Sequence, residues 1–373
     1  MGATSGLHSS RASSSSSSSS HFYPQRRSHR QGWQNRTQAI AADRELGAPR
    51  NAVVPMARTR RVAQQLHVRL NEQLWQDRLY NSLPSVPQRV EQEDALSHGG
   101  WEPAAHHLSK AELWAVMRQE ARAAAEKEPV LASFLHMTVI MHTTLEKSMA
   151  FLLANKLASP TLLGTQLTRL FMEAYEDDPD ILEACVADVQ AVYDRDPACE
   201  QYAQCMLYFK GFQAIQCQRV ANWMWRKGRR ALALALQSRM SEVFAVDIHP
   251  AARIGRGILL DHATGVVIGE TAVIGDNVSM LHHVTLGGSG TGKGVRHPTV
   301  GNGVLLGAGV SVLGPIVIGH CSKVGAGSVV VTDIPPHCVA VGVPATVVKV
   351  LDDTVEPVKA MDQCVDFILD YVI

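Results

Sequence analysis

Seven polar residues interrupt an otherwise regular stretch of chain: Asp247, Asp261, His262, His282, His283, Arg296 and His297. An imidazole backed by a carboxylate is held in one tautomer and becomes a better general base. Asp247 precedes His262 by 15 residues, a spacing that lets it reach the ring around one corner of a repeating coil. Asp261 and Arg296 carry opposite charges, which suits a small zwitterionic substrate. No Ser or Cys at the irregular positions resembles an activated nucleophile, so direct transfer to a bound acceptor is favoured over a covalent enzyme intermediate. Two other readings of these residues stay open. His262 and Asp247 can simply satisfy hydrogen bonds at a corner. Alternatively, three of the four histidines can ligate zinc across a subunit interface, as in a metal-dependent hydratase. The cationic Arg296 beside them counts against a divalent ion, so no metal is expected.

These residues must be held by a repeat. An aliphatic side chain returns every sixth position at Ile248, Ile254 and Leu260, then at Ile268, Ile274, Met280 and Leu286. It resumes at Val300, Leu306, Val312, Ile318, Val324 and Val330, and the following slot is usually glycine. Period six is the signature of a parallel β-helix. Each hexad makes one side of a triangular coil, so 18 residues (three hexads) complete a turn and residues 247–345 give about five coils. Glycine at the corners is expected to serve backbone with positive φ. The repeat lapses in three places. Asp261 replaces the expected glycine, two extra residues separate Leu260 from Ile268, and a glycine-rich basic loop at 289–298 leaves the prism. His262 and His282 lie 20 residues apart, one coil plus the two extra residues, so they should meet on neighbouring coils. Arg296 and His297 are expected to converge on the same side.

The rest of the chain frames this region. Net charge is zero over 373 residues, but residues 1–70 hold eleven Arg, no Lys and two acids. The basic excess is thus terminal, which argues against a nucleic-acid-binding body. The segment is also Ser-rich and lacks a central apolar stretch, so it reads as a transit peptide. Plastid is the expected destination, with mitochondrion or cytosol as alternatives. Residues 71–107 read as a linker and 108–246 as an all-α domain. Ser109 with Glu112 forms a candidate capping box; Pro160 suggests a second helix start. Residues 180–193 and 206–240 are helix-like, with Trp223 and Trp225 as packing anchors. The seven cysteines lack CxxC spacing and read as reduced thiols. No apolar run is long enough to span a bilayer, so a soluble protein without membrane contact is expected. Residues 346–373 form an acidic, flexible tail ending in Tyr371, Val372 and Ile373, a peptide shaped for a partner's groove.

Several motifs occur together and in order: DIHPAA at 247–252, LDHATG at 260–265, VTLGG at 284–288 and RHP at 296–298. Upstream stand DRDP at 194–197, LYFKGF at 207–212 and GRRAL at 228–232. In these the chain resembles the plant-type serine O-acetyltransferases of the hexapeptide-repeat acyltransferase family. The resemblance implies an α+β multidomain protein, with an all-α N-terminal domain followed by a left-handed parallel β-helix. It implies trimers pairing into hexamers through the helical domain, with active sites between neighbouring β-helices. The implied reaction moves acetyl from acetyl-CoA to the L-serine hydroxyl, giving O-acetyl-L-serine for cysteine synthesis, with feedback inhibition by L-cysteine. Another hexapeptide acetyltransferase is the alternative within the fold. His262 would be the general base and Asp247 its orienting carboxylate. Asp196 and Asp261 would hold the substrate ammonium, Arg296 and His297 its carboxylate, and Gly288 would offer backbone donors. Acetyl-CoA would run past Gly307, Ala308 and Ala326, with Lys323 near its phosphates. The terminal DYVI resembles the plant tail that docks into O-acetylserine (thiol) lyase, although DQCVDFI at 362–368 departs from it.

Overall fold

The computed structural model of the chain describes residues 108–363. The expected transit peptide, the linker and the terminal tripeptide Tyr371 to Ile373 lie outside the described residues. The first helix, α1 (Lys110–Lys127), opens with the expected capping box: Glu112 Oε2 accepts the Ser109 N–H at 2.9 Å and Ser109 caps the Glu112 N–H. After a kinked helical stretch ending in a π turn at His136–Ile140 come α2 (Leu145–Leu157), α3 (Gly164–Asp177) and α4 (Asp180–Arg195). Pro160 does not start α3. Ser159 Oγ instead takes the Leu162 N–H at 3.0 Å and closes a turn before it. The stretch expected as one helix over 206–240 is broken into α5 (Tyr202–Tyr208), α6 (Lys210–Arg226) and α7 (Arg230–Phe244). Gly228, at φ +76°, makes the second break, a conformation that side-chain-bearing residues resist.

Strands follow as three-sided coils. The first holds β1 (Asp247–Ile248), β2 (Arg253–Ile254) and β3 (Leu259–Leu260); the second β4 (Val267–Ile268), β5 (Val273–Ile274) and β6 (Ser279–Met280). The third holds β7 (Thr285–Gly287), β8 (Thr299–Val300) and β9 (Leu305–Leu306); the fourth β10 (Ser311–Leu313), β11 (Val317–Ile318) and β12 (Lys323–Val324). β13 (Val329–Val330), a bridge at Ile334 and β14 (Cys338–Gly342) make a fifth. β15 (Ala345–Val350) turns back antiparallel on β14. Every third strand pairs in parallel. β1, β4, β7, β10 and β13 form face 1; β2, β5, β8 and β11 face 2; β3, β6, β9, β12, β14 and β15 face 3. This is the left-handed parallel β-helix that the repeat and the resemblance called for.

The hexad aliphatics stack as buried ladders in register: Ile248, Ile268, Leu286, Val312 and Val330 on face 1 and Leu260, Met280, Leu306 and Val324 on face 3. Truncating one such side chain to Ala leaves a cavity worth about 2–5 kcal/mol. The repeat glycines serve a different end from the one expected. A Cβ on Gly307 would lie 2.7 Å from the Ala326 nitrogen on the next coil, so close backbone approach selects glycine there. Positive φ falls two residues later, at Gly309 (φ +70°).

One buried ion pair joins the helices to the first coil. Arg219 on α6 grips Asp188 on α4 at 2.7 Å and also donates to the Gly255 carbonyl at 2.7 Å. Asp188 accepts the Ile258 N–H at 2.8 Å. Burial pushes its carboxyl up, opposed by Arg219. Removing one partner from such a pair costs about 3–5 kcal/mol.

Candidate active site

The corner between β3 and β4 carries the lapse at Asp261 and His262. His262 and Ala263 both take left-handed backbone, at φ 56° and 59°, a conformation held only where the surroundings over-determine it. The surroundings do so here. Ala263 N–H bonds to the Asp261 carbonyl at 2.6 Å, Thr264 N–H to the His262 carbonyl at 2.7 Å and Gly265 N–H to the Ala245 carbonyl at 2.8 Å. The first turn of α6 seats the same corner. Lys210 Nζ donates to Thr264 Oγ1 at 2.5 Å, and a Cβ on Gly211 would overlap the Leu260 carbonyl. The strained corner throws the His262 ring outward, 72% exposed, with Nε2 3.7 Å from Asp261 Oδ2.

His282 comes up beneath it on the next coil, with ring centroids 5.8 Å apart and planes at 63°. The coil arithmetic thus brought these two together. His283 stands edge-on to His282 at 5.5 Å. His282 Nδ1 is buried without a hydrogen-bond partner among the described residues. Asp196, at the end of α4, is near enough to Asp261 for its charge to act on that carboxyl. Burial raises the Asp261 carboxyl, the imidazole of His262 pulls it down, and the carboxylate of Asp196 raises it again. Two carboxylates that repel each other this way are a ready seat for a cation. Asp247 is at the start of β1, on the same edge, with its N–H on the Val266 carbonyl at 2.8 Å. Its carboxylate accepts from Gln237 Nε2 at 2.7 Å rather than from His262.

Arg296 and His297 lie elsewhere. The loop that carries them joins β7 to β8, so they belong to the edge between faces 1 and 2, whereas His262 belongs to the edge between faces 3 and 1. The expectation that all these residues share one side is therefore corrected: face 1 separates the two groups. One hexad side is on the order of 20 Å, several times the length of an amino acid. The second group is tightly built. Arg296 forms an ion pair with Glu270 at 2.7 Å, which holds the Glu270 carboxyl below its ordinary range. Thr271 Oγ1 accepts the N–H groups of Arg296 and His297 at 3.0 and 3.1 Å and lies 2.9 Å from His297 Nδ1. Thr271 N–H also points at that Nδ1, at 3.2 Å. Nδ1 is thus the acceptor, and the proton sits on Nε2. His297 is buried at 7% exposure; burial, then Arg296, lowers its pKa and keeps it neutral. A Cβ on Gly269 would collide with the ring, and one on Gly288 would lie 3.0 Å from Nε2. Glu270 and Thr271 escaped the sequence reading, and Gly269 counted there only as a repeat glycine, although a polar Glu-Thr pair directly after a ladder corner was a visible signal.

Gly307, Ala308 and Ala326 fall on the His262 edge, on the third and fourth coils down. The expected acetyl-CoA contacts therefore form one column with the base. The C-terminal segment lies over part of it. Gln363 Oε1 accepts the Ala308 N–H at 2.8 Å, while Val358 and Met361 pack on Leu281 and Leu305. Lys323, 5% exposed, has its ammonium on Asp362 at 3.1 Å, so in this conformation it faces that segment and not a phosphate. No helix among the described residues is long and apolar enough to cross a membrane. Among the same residues, no three His, Cys, Asp or Glu side chains converge to hold a metal.

A family model for the N-terminal region of serine acetyltransferase matches residues 113–217. Probable serine acetyltransferase 1 of Oryza sativa subsp. japonica is 59% identical over 233 residues, covering 62% of this chain and 77% of its own. The chain belongs to the serine acetyltransferase family. The serine acetyltransferase of Escherichia coli strain K12 is 49% identical over 251 residues, covering 67% of this chain and 92% of its own. Soybean serine acetyltransferase complexed with serine superposes with a TM-score of 0.63 at 57% identity, covering 66% of this chain and 100% of that one. A serine acetyltransferase in complex with cysteine does so with a TM-score of 0.68 at 47% identity, covering 69% and 100%. The plant-type resemblance and the acyltransferase class read from the motifs thus stand, and these relatives do not favour a metal-dependent hydratase.

Proposed function

We propose that this chain transfers acetyl from acetyl-CoA to the hydroxyl of L-serine, with the reacting groups drawn from the edges of two neighbouring copies. The observation that carries the reading is the exposed His262 beside the carboxylates Asp196 and Asp261. Those carboxylates take the serine ammonium. Arg296 and the neutral Nε2–H of His297, from the adjoining copy, take its carboxylate, beside the open backbone at Gly288. His262 then removes the hydroxyl proton as Asp247 orients its ring and balances the imidazolium. The serine oxygen bonds to the thioester carbon, and the carbonyl pair moves onto oxygen. Its return breaks the carbon–sulfur bond, and His262 gives its proton to the departing CoA thiolate. Preorganised donors around the developing oxyanion lower the barrier. Acetyl-CoA occupies the column of Gly307, Ala308 and Ala326, displacing Gln363 from Ala308.

L-cysteine carries the same ammonium and carboxylate as serine and competes for the same seat, as the cysteine-bound relative supports. Trimers give each His262 edge a neighbouring Arg296 edge. Val130 at 92% exposure, with Phe134, Met137 and Met141, forms an apolar patch on the helical layer that suits pairing of trimers into hexamers. Residues 1–70 direct the chain to the plastid, and Tyr371, Val372 and Ile373 dock into O-acetylserine (thiol) lyase. The direct test is thiol release from acetyl-CoA with a panel of amino acids and sugars. L-serine should be the preferred acceptor, and selective turnover of a sugar would overturn the assignment.

A further inference from the structure

Asp247 stands where the end of helix α7 meets the corner that carries His262. Helix α7 ends at Ala245 in a left-handed C-cap, φ 56°, and the Ala245 carbonyl takes the Gly265 N–H of the His262 corner at 2.8 Å. Two residues on, the Asp247 N–H bonds to Val266 of that corner at 2.8 Å. The backbone of Asp247 is therefore tied to the base's own corner. Its side chain is tied back to α7, where Gln237 Nε2 donates to Oδ1 at 2.7 Å. Since a carboxylate only accepts, the amide nitrogen is the group that faces it. Buried Leu236 and Met240 on either side fix the rotation of α7 and hence the direction of Gln237.

We propose that Gln237 is the positioning residue for Asp247: it occupies Oδ1 and leaves Oδ2 to receive the Nδ1–H of His262. This rests on the reading of Asp247 and His262 as the base pair. The choice of an amide has a physical reason. A neutral donor fixes the rotamer without cancelling the carboxylate's charge, whereas Lys or Arg there would remove the field that stabilises the imidazolium.

The test uses the full chain with Gln237→Met, similar in length but without the donor, Gln237→Glu and Asp247→Asn. Gln237→Met should lower kcat about tenfold with the KM for serine and for acetyl-CoA unchanged. Gln237→Glu sets a second negative charge beside Asp247, so the acidic limb of the kcat–pH profile should move to higher pH. In an Asp247→Asn background, Gln237→Met should lower kcat no further. Unchanged kcat and pH profiles in both Gln237 variants, alongside an impaired Asp247→Asn, would overturn the proposal. A further tenfold loss in the double variant would also overturn it, since Gln237 would then act on the fold. If Asp247→Asn itself turns over normally, the base-pair reading is what fails.

Discussion

The two edges that border face 1 each present a histidine, and they use it in opposite ways. His262 sits on left-handed backbone, thrown clear of the prism and flanked by carboxylates. His297 is buried, pinned through Nδ1 by Thr271 and kept neutral by burial and Arg296. The first stands open to solvent, its Nε2 3.7 Å from the Asp261 carboxylate. The second is fixed as a donor through Nε2. The lesson is that residue type does not assign the role here. Exposure, neighbouring charge and the partner of the other ring nitrogen do so.

The contrast can be broken most sharply by removing each ring. His262→Ala should lower kcat by about 10²–10⁴, whereas His297→Ala should act mainly on the KM for serine. Equal losses of kcat would erase the distinction. The next effect tests whether the two edges work in different copies. Inactive His262→Ala and Arg296→Ala chains, mixed after dissociation and reassembled, should regain about a quarter of wild-type activity. That fraction follows because in a cyclic trimer a site is intact only where the right copies adjoin. No recovery would place both edges in one chain's site. Thr271→Val should raise the KM for serine about tenfold by freeing His297 and stranding two backbone donors, with kcat little changed; steady-state kinetics decides it. The smallest effect is in pH. Because His297 is held below the ordinary value of 6.5, its neutral form, with Nδ1 accepting from Thr271, persists to lower pH than that of an exposed histidine. The KM for serine should therefore stay flat as pH falls through the ordinary histidine value of 6.5. A rise through pH 7 would contradict the buried, neutral assignment.

Much of the scaffold was legible from the chain. The hexad count located the ladder residues as far as Val330, though not Ile334 and Ala340 that continue them, and the two-residue excess after Leu260 correctly predicted that His262 and His282 would meet. The capping box at Ser109 and Glu112 was equally plain. The edge that carries Arg296 was not, because the inserted loop at 289–298 obscures which corner it leaves from. The helical region at 206–240 was read as continuous, since Phe209 breaks it with little warning in composition and Gly228 breaks it through a φ of +76°. Gln237 was invisible: it lies 10 residues from Asp247 on a helix with no repeat to index it.

Sequence periodicity alone thus determined the β-helix, because a six-residue cycle of aliphatics admits one way of burying them. It also marked the corners where that burial is abandoned for chemistry. Only the tertiary structure decided how those corners are furnished. The left-handed turn at His262, its seat on Lys210 and Gly211, and the lock of Thr271 on His297 are contacts between segments far apart along the chain. Their geometry depends on how helices and coils close together, which no local spacing encodes.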